Sequence, residues 1–379
     1  MEVYFDNSAT TEPYEEVIEE VSNTMREYFA NPSSAHSLGF KAEQKLRKCR
    51  DFIATTIKAH SEEIIFTSGG SESNNFLIKG FSKIGTHIIT SNIEHPSVFN
   101  TFKALEKEGI KVSYISLREN GEINIDELIE SITKDTVLVS IMHVNNEVGI
   151  VQDIEKIGNA IKEKSTRVKF HVDAVQSYGK IPIDVQKCKI DLLSTSAHKL
   201  HGPRGVGFAY IKKGLVANPL ISGGGQERNF RSGTENLPAI AGFAIASKIM
   251  HENIQGNYEK VLEVKKYFIE RLKEIEGIKV NSKMEDNFLP HILSVSLPSI
   301  RGEVLLHALE EKNIYVSTGS ACSSKAAKTS QVLNAFGLSL KEQQGTIRFS
   351  FCEYNTKDEV DYAIEALKSS LKILRRMKR

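Results

Sequence analysis

The sequence contains no tryptophan and only four cysteines among its 379 residues. Cys49, Cys188, Cys322 and Cys352 are widely spaced, and no two of them form a CxxC pair. This distribution argues against a disulfide framework and against a zinc site, so we expect no bound metal. Unpaired cysteines are typical of a reducing compartment, which predicts a cytoplasmic protein.

Long apolar runs and an excess of one charge sign are also missing. No segment approaches the roughly 18 apolar residues that a membrane-spanning helix needs. The first residues, MEVYFDNSATTEP, lack the basic region and apolar run of a secretory signal. The formal net charge is +1, which gives no electrostatic reason to expect nucleic-acid or anionic-membrane binding. We therefore expect a globular protein without membrane or direct nucleic-acid partners.

From about residue 63 to residue 211, short β-branched runs alternate with amphipathic helical patterns. Near-continuous apolar strands separated by helices predict a mostly parallel sheet that is covered on both faces. In such sheets, ligands bind at the carboxyl ends of the strands. The predicted strands lie in EIIFTSG, HIITS, KVSYISL, TVLVSIMHVN, VKFHVDA, DLLSTSAHK and GVGFAYI.

The pattern changes after the polar, glycine-rich stretch SGGGQERNFRSGTENLP. A long helical stretch is predicted at about 239–275, and short strands then mix with helices. This change predicts a second, smaller α+β domain from about residue 257, with the long helix as its link to the first domain.

Two predicted strand ends carry residues with a joint chemical meaning. Lys199 lies in SAHKLHGPRG, between two histidines and close to the Ser196 hydroxyl, and Asp173 closes the strand in FHVDAVQS. Taken separately, Lys199 would be interpreted as a surface lysine and Asp173 as the N-cap of a helix. Together, a lysine that forms a Schiff base and a carboxylate that keeps a pyridine nitrogen protonated are typical of pyridoxal phosphate (PLP) enzymes. Gln176 either hydrogen-bonds the phenolic oxygen of such a cofactor or faces solvent.

Four further stretches extend this interpretation, although each has a structural alternative. Gly70 and Ser71 in FTSGGSESNN join a strand to a helix, where backbone N–H groups bind anions. His95 follows another strand and suits proton transfer beside a cofactor ring. The polar HVNNEVG stretch indicates either a polar site or a turn. Arg348 in GTIRFSF is either an edge-strand surface residue or a fork that binds an α-carboxylate.

The motifs, in this order, resemble those of cysteine desulfurases. Within that family, the chain resembles the NifS/IscS-like group I, which belongs to the class V aminotransferases of PLP fold-type I. The resemblance covers essentially the whole chain. It implies an α/β fold with a large domain at 14–256, built on a mostly parallel seven-stranded sheet covered by helices. A smaller α+β domain, formed by 1–13 and 257–379, would carry the cysteine loop. The resembling stretches are YFDNSATT, NPSSAHSLG, FTSGGSESNN, HVNNEVG, HVDAVQS, SAHKLHGPRGVG, GGGQERNFRSGTEN, GSACSS and IRFSF.

The resemblance also implies how the cofactor ring is held. Lys199 would bind PLP covalently and move protons, His95 would stack on the ring, and Asp173 would pair with the pyridine nitrogen. Asn146 and Gln176 would lie near the ring oxygen.

The cofactor phosphate would be held by residues that the resemblance places in two subunits. Thr234 would reach the phosphate of the neighbouring subunit, which implies a homodimer. Arg348 would bind the substrate carboxylate with help from Asn31. The remaining implied phosphate ligands are Gly70, Ser71, Ser196 and His198.

Cys322 lies among small residues in STGSACSSK, which offer little apolar surface to bury a thiol. The resemblance implies that Cys322 attacks the sulfur of bound cysteine and then presents a persulfide to an acceptor protein. Many relatives carry Glu-Pro where this chain has Lys328 and Thr329, which bears on the choice of acceptor. We expect Cys352, four residues after Arg348, to be a buried structural cysteine.

The implied function is a PLP-dependent transferase that converts L-cysteine to L-alanine and passes sulfur on for iron–sulfur cluster assembly, tRNA thiolation or both. The acceptor would be an iron–sulfur scaffold or a tRNA-thiolation enzyme. A selenocysteine lyase and a non-catalytic sulfur-carrier scaffold are the main alternatives. An aminotransferase has no use for Cys322, and a zinc hydrolase that uses His198, His201 and Asp191 matches no familiar zinc spacing.

Overall fold

The computed structural model describes residues 1–298, 300–318 and 330–377. Within these ranges the chain forms helices and strands in the alternating order that the sequence predicts. The helices are α1 (Glu15–Glu27), α2 (Ser37–Thr56), α3 (Gly70–Phe81), α4 (Pro96–Lys107), α5 (Ile125–Ser131), α6 (Ile154–Lys164), α7 (Leu237–Glu252), α8 (Ile254–Leu272), α9 (Gly302–Glu310), α10 (Gln331–Ala335), α11 (Leu340–Gln344) and α12 (Lys357–Met377). The strands are β1 (Val3–Tyr4), β2 (Ile64–Thr67), β3 (His87–Ser91), β4 (Lys111–Ile115), β5 (Thr136–Met142), β6 (Lys169–Asp173), β7 (Leu192–Ser194), β8 (Gly207–Ile211), β9 (Lys279–Val280), β10 (Ile292–Ser296), β11 (Ile314–Tyr315), β12 (Ser317–Thr318) and β13 (Thr346–Ser350).

The larger sheet has seven strands in the order β2-β8-β7-β6-β5-β3-β4. Strands β4, β3, β5, β6 and β7 run parallel, whereas β8 is antiparallel to both of its neighbours. Each of the seven predicted runs contributes one strand, and most of the strand residues are buried. The predicted α/β fold with a mostly parallel seven-stranded sheet is therefore confirmed.

Helix α6 shows how the sequence fixes the packing against this sheet. Its apolar stripe, Ile154, Ile157 and Ile161, recurs at three- and four-residue spacing and is buried. Gly158 lies on the same face, and a Cβ atom there would fall 2.0 Å from the carbonyl oxygen of Cys188. Only glycine permits this close approach, so the stripe and the glycine together set the position of α6.

A second sheet lies in the C-terminal part of the chain. Strands β12, β13, β10 and β9 form an antiparallel sheet in that order, and β1 pairs in parallel with β11. Phe5 from the N-terminus packs edge-on against Phe268, Phe349 and Phe351. The first residues of the chain therefore share a hydrophobic core with the C-terminal elements.

The stretch at 239–275, expected to form one long helix, instead forms two helices. Helix α7 ends at Glu252 and α8 begins at Ile254. Asn253 between them has φ −135° and ψ 33°, which is outside helical geometry and interrupts the backbone hydrogen-bond ladder. In the part of the chain that the structure describes, no helix is both long and apolar enough to cross a membrane.

Candidate active site

A cavity of about 650 Å³ opens where several strands of the larger sheet end. Residues that follow β2, β3, β5, β6 and β7 line it, as the geometry of open α/β sheets predicts. Arg348, from β13 of the smaller sheet, also reaches the cavity. The predicted site residues that line it are Lys199, His95, Asp173, Gln176, Asn146, Gly70, Ser71, Ser196, His198 and Arg348.

Lys199 ends a short 3₁₀ turn, Ala197–Lys199, just beyond β7. Its Nζ donates to the backbone carbonyl of Ser8 at 2.5 Å and to that of Ala9 at 2.7 Å. The Thr11 backbone N–H and hydroxyl both donate to the carbonyl of His198. The N-terminal segment therefore fixes both the lysine and the turn that carries it.

Asp173 is the last residue of β6 and is 4% exposed. Its carboxylate accepts from Asn74 Nδ2 at 2.8 Å and from the Val175 backbone N–H at 3.0 Å. Burial raises the pKa of Asp173, while the imidazole of His95 acts in the opposite direction. The residue is therefore a buried, hydrogen-bonded carboxylate in the cavity, and it does not cap a helix.

His95 is the N-cap residue of α4, and its Nδ1 accepts the backbone N–H of Ser97 at 3.1 Å. Because Nδ1 acts as an acceptor, a neutral ring carries its proton on Nε2. Burial lowers the pKa of His95, which favours the neutral ring. The side chain therefore presents a protonated Nε2 in the cavity.

The start of α3 has the features of an anion site. Gly69 has φ +144°, a conformation that favours glycine, and Gly70 opens the 12-residue helix. A Cβ at Gly70 would fall 2.5 Å from Val175 Cγ2, so this end of the helix packs tightly under the cavity. The free N–H groups of a helix start and the buried Ser196 hydroxyl suit a phosphate group. His198 lies nearby, and burial lowers its pKa to about 4.

Arg348 is 6% exposed and belongs to a central strand of the smaller sheet, so it is not an edge-strand surface residue. Its Nη2 donates to Asp6 Oδ1 at 2.8 Å, and its Nη1 donates to the Asn146 carbonyl at 2.8 Å. Nε is buried without a hydrogen-bond partner among the described residues. An orphaned guanidinium donor in a cavity is suited to an anionic ligand.

The HVNNEVG stretch forms both a turn and part of the site. Asn145 Oδ1 accepts the backbone N–H groups of Glu147 and Val148, which closes the turn. Asn146 lines the cavity. Glu147 is half-buried and accepts a hydrogen bond from Ser330 Oγ at 2.6 Å, and desolvation of its carboxylate raises its pKa to about 7.

Two predicted site residues, Asn31 and Thr234, are not among the described residues that line this cavity. Asn31 and Thr234 are exposed on the single chain. Cys322 lies outside the described residues, as do Lys328 and Thr329. Cys352 is buried, as expected, and burial raises the pKa of its thiol to about 12.

The structure also adds residues that the sequence analysis did not assign. Asp6, Ser8 and Ala9 contact Lys199 or Arg348 through the hydrogen bonds described above. Asn74 lies four residues after Gly70, so both occupy one face of α3. The spacing of Gly70 and Asn74 in SGGSESNN could have indicated that Asn74 belongs to the site. The N-terminal segment has no comparable pattern, and only its resemblance to the family points to a role.

His201 does not lie with His198 and Asp191, the residues that a zinc hydrolase would need beside it. Its ring stacks on Tyr14 at 4.4 Å, and its Nε2 lies 3.5 Å from Glu353 Oε2. Asp191 instead pairs with Lys162. His198 and Asp191 therefore do not join His201 in a ligand set.

Comparison with known proteins agrees with the fold. The Aminotransferase class-V family model matches residues 3–363. The chain is 44% identical to the cysteine desulfurase IscS of Buchnera aphidicola subsp. Baizongia pistaciae (strain Bp) over 384 residues, covering 99% of this chain and 94% of that protein. A solved structure of a NifS-like protein has a TM-score of 0.93 and 40% identity, and the match covers 98% of this chain and 100% of that one. The structure of SspA in complex with cysteine has a TM-score of 0.82 and 37% identity, with 93% and 100% coverage.

A mostly parallel sheet with a lysine and a buried aspartate in one cavity at its strand ends is typical of a PLP-type α/β enzyme. The comparisons specify the group further, and the chain belongs to the class V aminotransferase family.

Proposed function

We propose that this protein is a PLP-dependent L-cysteine desulfurase. The observation that carries the proposal is the convergence of Lys199, Asp173 and Arg348 on one cavity. A lysine, a buried carboxylate and a guanidinium are the groups needed to hold an aldehyde cofactor, its pyridine nitrogen and the carboxylate of an amino acid. The similarity to proteins named cysteine desulfurase over 99% of the chain selects cysteine as the amino acid.

The cavity residues fit PLP. Gly70, Ser71, Ser196 and His198 would hold its phosphate at the start of α3, where helix N–H groups are free. Asn74 Oδ1 and Arg348 Nε are buried without partners in the described structure, so the cavity retains polar groups for ligands. When bound, PLP supplies an electron sink that allows the α-proton of an amino acid to leave and weakens the bond to its sulfur.

The chain's own residues then have distinct tasks. Asp173 keeps the pyridine nitrogen protonated, and Asn74 and the Val175 N–H hold its carboxylate in place. Lys199 anchors the cofactor and moves the α-proton. His95 offers the Nε2 proton to the departing product or takes a proton from the substrate thiol. Arg348, with Asn31, binds the substrate carboxylate.

Cys322 would accept the sulfur. Its thiolate attacks the substrate sulfur, an S–S bond forms as the carbon–sulfur bond breaks, and the carbon gains a proton to give L-alanine. No external oxidant is needed, because the carbon keeps the electron pair of the broken carbon–sulfur bond and is reduced as the S–S bond forms. The persulfide would then pass to an acceptor protein for iron–sulfur cluster assembly, tRNA thiolation or both.

We also propose how the protein is organised. The division into a large domain at 14–256 and a small domain at 1–13 and 257–379 is supported by the separate hydrophobic core that Val3, Phe5 and the C-terminal elements share. A homodimer would bring the exposed Thr234 to the phosphate of the neighbouring subunit. The absence of paired cysteines in the sequence favours a cytoplasmic location.

The test is to measure alanine and sulfide release from L-cysteine with PLP and a reductant. The Cys322→Ala variant should lose both products, whereas Cys352→Ala, which removes a buried thiol instead, should keep most of the activity. Equal activity in wild type and Cys322→Ala would move the assignment toward a lyase, with L-selenocysteine as the next substrate to compare. A colourless, inactive wild type would favour the non-catalytic scaffold.

A further inference from the structure

Lys180 is a lysine buried directly behind the candidate active site. It is 6% exposed, and it lies in the turn that follows β6, four residues after Gln176. Its Nζ donates to Gln176 Oε1 at 3.4 Å. The family resemblance assigned no task to this residue, and burying a lysine is costly unless its ammonium group has a partner.

The contact with Lys180 decides which way the Gln176 amide points. In its ammonium form Lys180 is a donor only, so it requires the amide oxygen on its side. The other end of the amide, Nε2, donates to the Ser8 carbonyl at 3.0 Å, and that carbonyl is an acceptor only. Rotating the amide by half a turn would oppose two donors at one end and two acceptors at the other. Lys180 and Ser8 therefore permit one orientation.

This orientation has a consequence for the cavity that Gln176 lines. Nε2 carries two N–H groups, and the Ser8 carbonyl accepts one of them. The second N–H remains available for an acceptor in the cavity, while Oε1 faces Lys180. Gln176 thus acts as a donor toward a ligand, which suits an anionic oxygen.

We propose that Lys180 is a positioning residue that holds the Gln176 amide so that it donates a hydrogen bond to the ionised ring oxygen of the bound cofactor. The inference rests on the proposed function, because it assumes that PLP occupies the cavity. Donation to the ionised oxygen favours the deprotonated form of the chromophore. Loss of the donor would therefore raise the pH at which the visible band of the bound cofactor changes.

The charged and titratable groups around Lys180 come from several elements. Lys180 itself is partly neutral near pH 7, because burial and the neighbouring Lys199 lower its pKa to about 7. The other groups that interact with it are Glu353, Cys352, Arg348, His198 and His291. A direct effect of its charge on the cofactor must therefore be separated from an effect that acts through Gln176.

The chain offers a matched control in Lys265. Its side chain is 1% exposed, its Nζ donates to the Leu289 carbonyl at 3.2 Å, and burial lowers its pKa to about 7. Neither lysine is among the described residues that line the cavity, but Lys180 contacts Gln176, which does line it, whereas Lys265 contacts the Leu289 carbonyl. Lys180→Met and Lys265→Met each replace a buried lysine by an unbranched apolar side chain, so they differ in position rather than in chemistry.

The experiment is a pH titration of the visible band of the PLP-loaded protein. Lys180→Met should raise the midpoint by about one to two pH units, the range for a hydrogen bond to a charged group. Lys265→Met should titrate as wild type does. In a Gln176→Leu background, Lys180→Met should cause no further shift, since both changes remove the same donor.

Three results would overturn the inference. They are a wild-type midpoint in Lys180→Met, a full extra shift in the Gln176→Leu background, and an equal shift in Lys265→Met. If Lys180→Met does not fold, Lys180→Gln serves instead, because it keeps an N–H donor without the charge. Its shift should be smaller than that of Gln176→Leu, and an equal or larger shift would contradict the proposal. A wild type without any visible band would refute the proposed function itself, whereas a coloured, active wild type with an unchanged Lys180→Met midpoint would refute only this inference.

Discussion

The hydrogen bond from Asn74 to Asp173 provides the most direct test of the candidate site. Asn74 is 1% exposed, and its Nδ2 lies 2.8 Å from the Asp173 carboxylate and 2.8 Å from Ser97 Oγ. Asn74→Ala would remove one of the two hydrogen bonds that hold the carboxylate and leave the one from Val175. The variant should retain the fold, because the change shortens a single side chain.

The expected change in the pKa of Asp173 and in kcat follows from the type of hydrogen bond that Asn74→Ala removes. A hydrogen bond to a charged group contributes about 1.5–3 kcal/mol, which corresponds to about one to two pKa units. Burial already raises the pKa of Asp173, and the variant should raise it further. Because the charged carboxylate is the active form and is lost as the pH falls, the acid limb of the activity profile should move up by about one to two pH units. We expect kcat near neutral pH to fall by roughly ten- to a hundredfold.

The assay is alanine release against pH, together with the affinity for PLP. Asn75→Ala is the matched control, since Asn75 is the next residue of α3 and bonds to the Ser71 carbonyl and the Thr101 hydroxyl instead. Thermal unfolding of both variants would show whether the fold is intact. An Asn74→Ala profile that overlays those of wild type and Asn75→Ala would refute the role assigned to the Asn74–Asp173 pair.

Three further predictions concern other parts of the structure. Arg348→Lys should raise the KM for L-cysteine by about ten- to a hundredfold, because one ammonium group cannot replace a fork; steady-state kinetics would show this, and an unchanged KM would contradict it. Gly70→Ala should weaken PLP binding at least about tenfold through its clash with Val175 Cγ2, and Gly70→Ala with Val175→Ala should recover part of that affinity in a spectroscopic titration, whereas no recovery would rule out the clash as the cause. Burial acts to raise the pKa of Glu353, but hydrogen bonds and charge from its partners outweigh it and lower that pKa to about 2. The ionised Glu353 therefore stabilises the fold above about pH 4.5, and this contribution is lost as the pH falls toward 2. Glu353→Gln should lower the free energy of unfolding by about 2–3 kcal/mol at pH 7 and by much less at pH 3. Denaturation curves that show equal losses at both pH values would contradict this prediction.

The elements that the sequence predicted best are the strands of the larger sheet. Apart from β4, their β-branched runs are mostly buried on both faces, so local composition and tertiary environment require the same residues. His95 and Lys199 follow such strands, Asp173 ends one, and strands that run parallel bring their carboxyl ends to one edge. The convergence of these residues on one cavity could therefore be expected from the sequence alone.

Features that depend on contacts between distant segments were harder to predict. The stretch at 239–275 has helical periodicity throughout, yet the helix is interrupted at Asn253. Periodicity carries no information about such an interruption. Lysine is ordinarily a surface residue, and only the fold shows that Lys180 is buried next to Gln176. Arg348 could not be placed at the centre of a sheet before the pairing of β13 with β10 and β12 was known.

The N-terminal segment accounts for most of what the sequence left unexplained. Asp6 bonds to Arg348 of the smaller sheet, while the carbonyls of Ser8 and Ala9 accept from Lys199, which follows a strand of the larger sheet. Ser8 also accepts from Gln176. A few residues with little regular secondary structure thus connect Arg348, Lys199 and the Gln176 amide. Periodicity cannot reveal such a segment, because its role lies in backbone carbonyls that any residue type provides. Side-chain substitutions at Ser8 and Ala9 should therefore be tolerated better than changes in the backbone path between Phe5 and Thr11, which the structure fixes at both ends by hydrogen bonds to Tyr315 and His198.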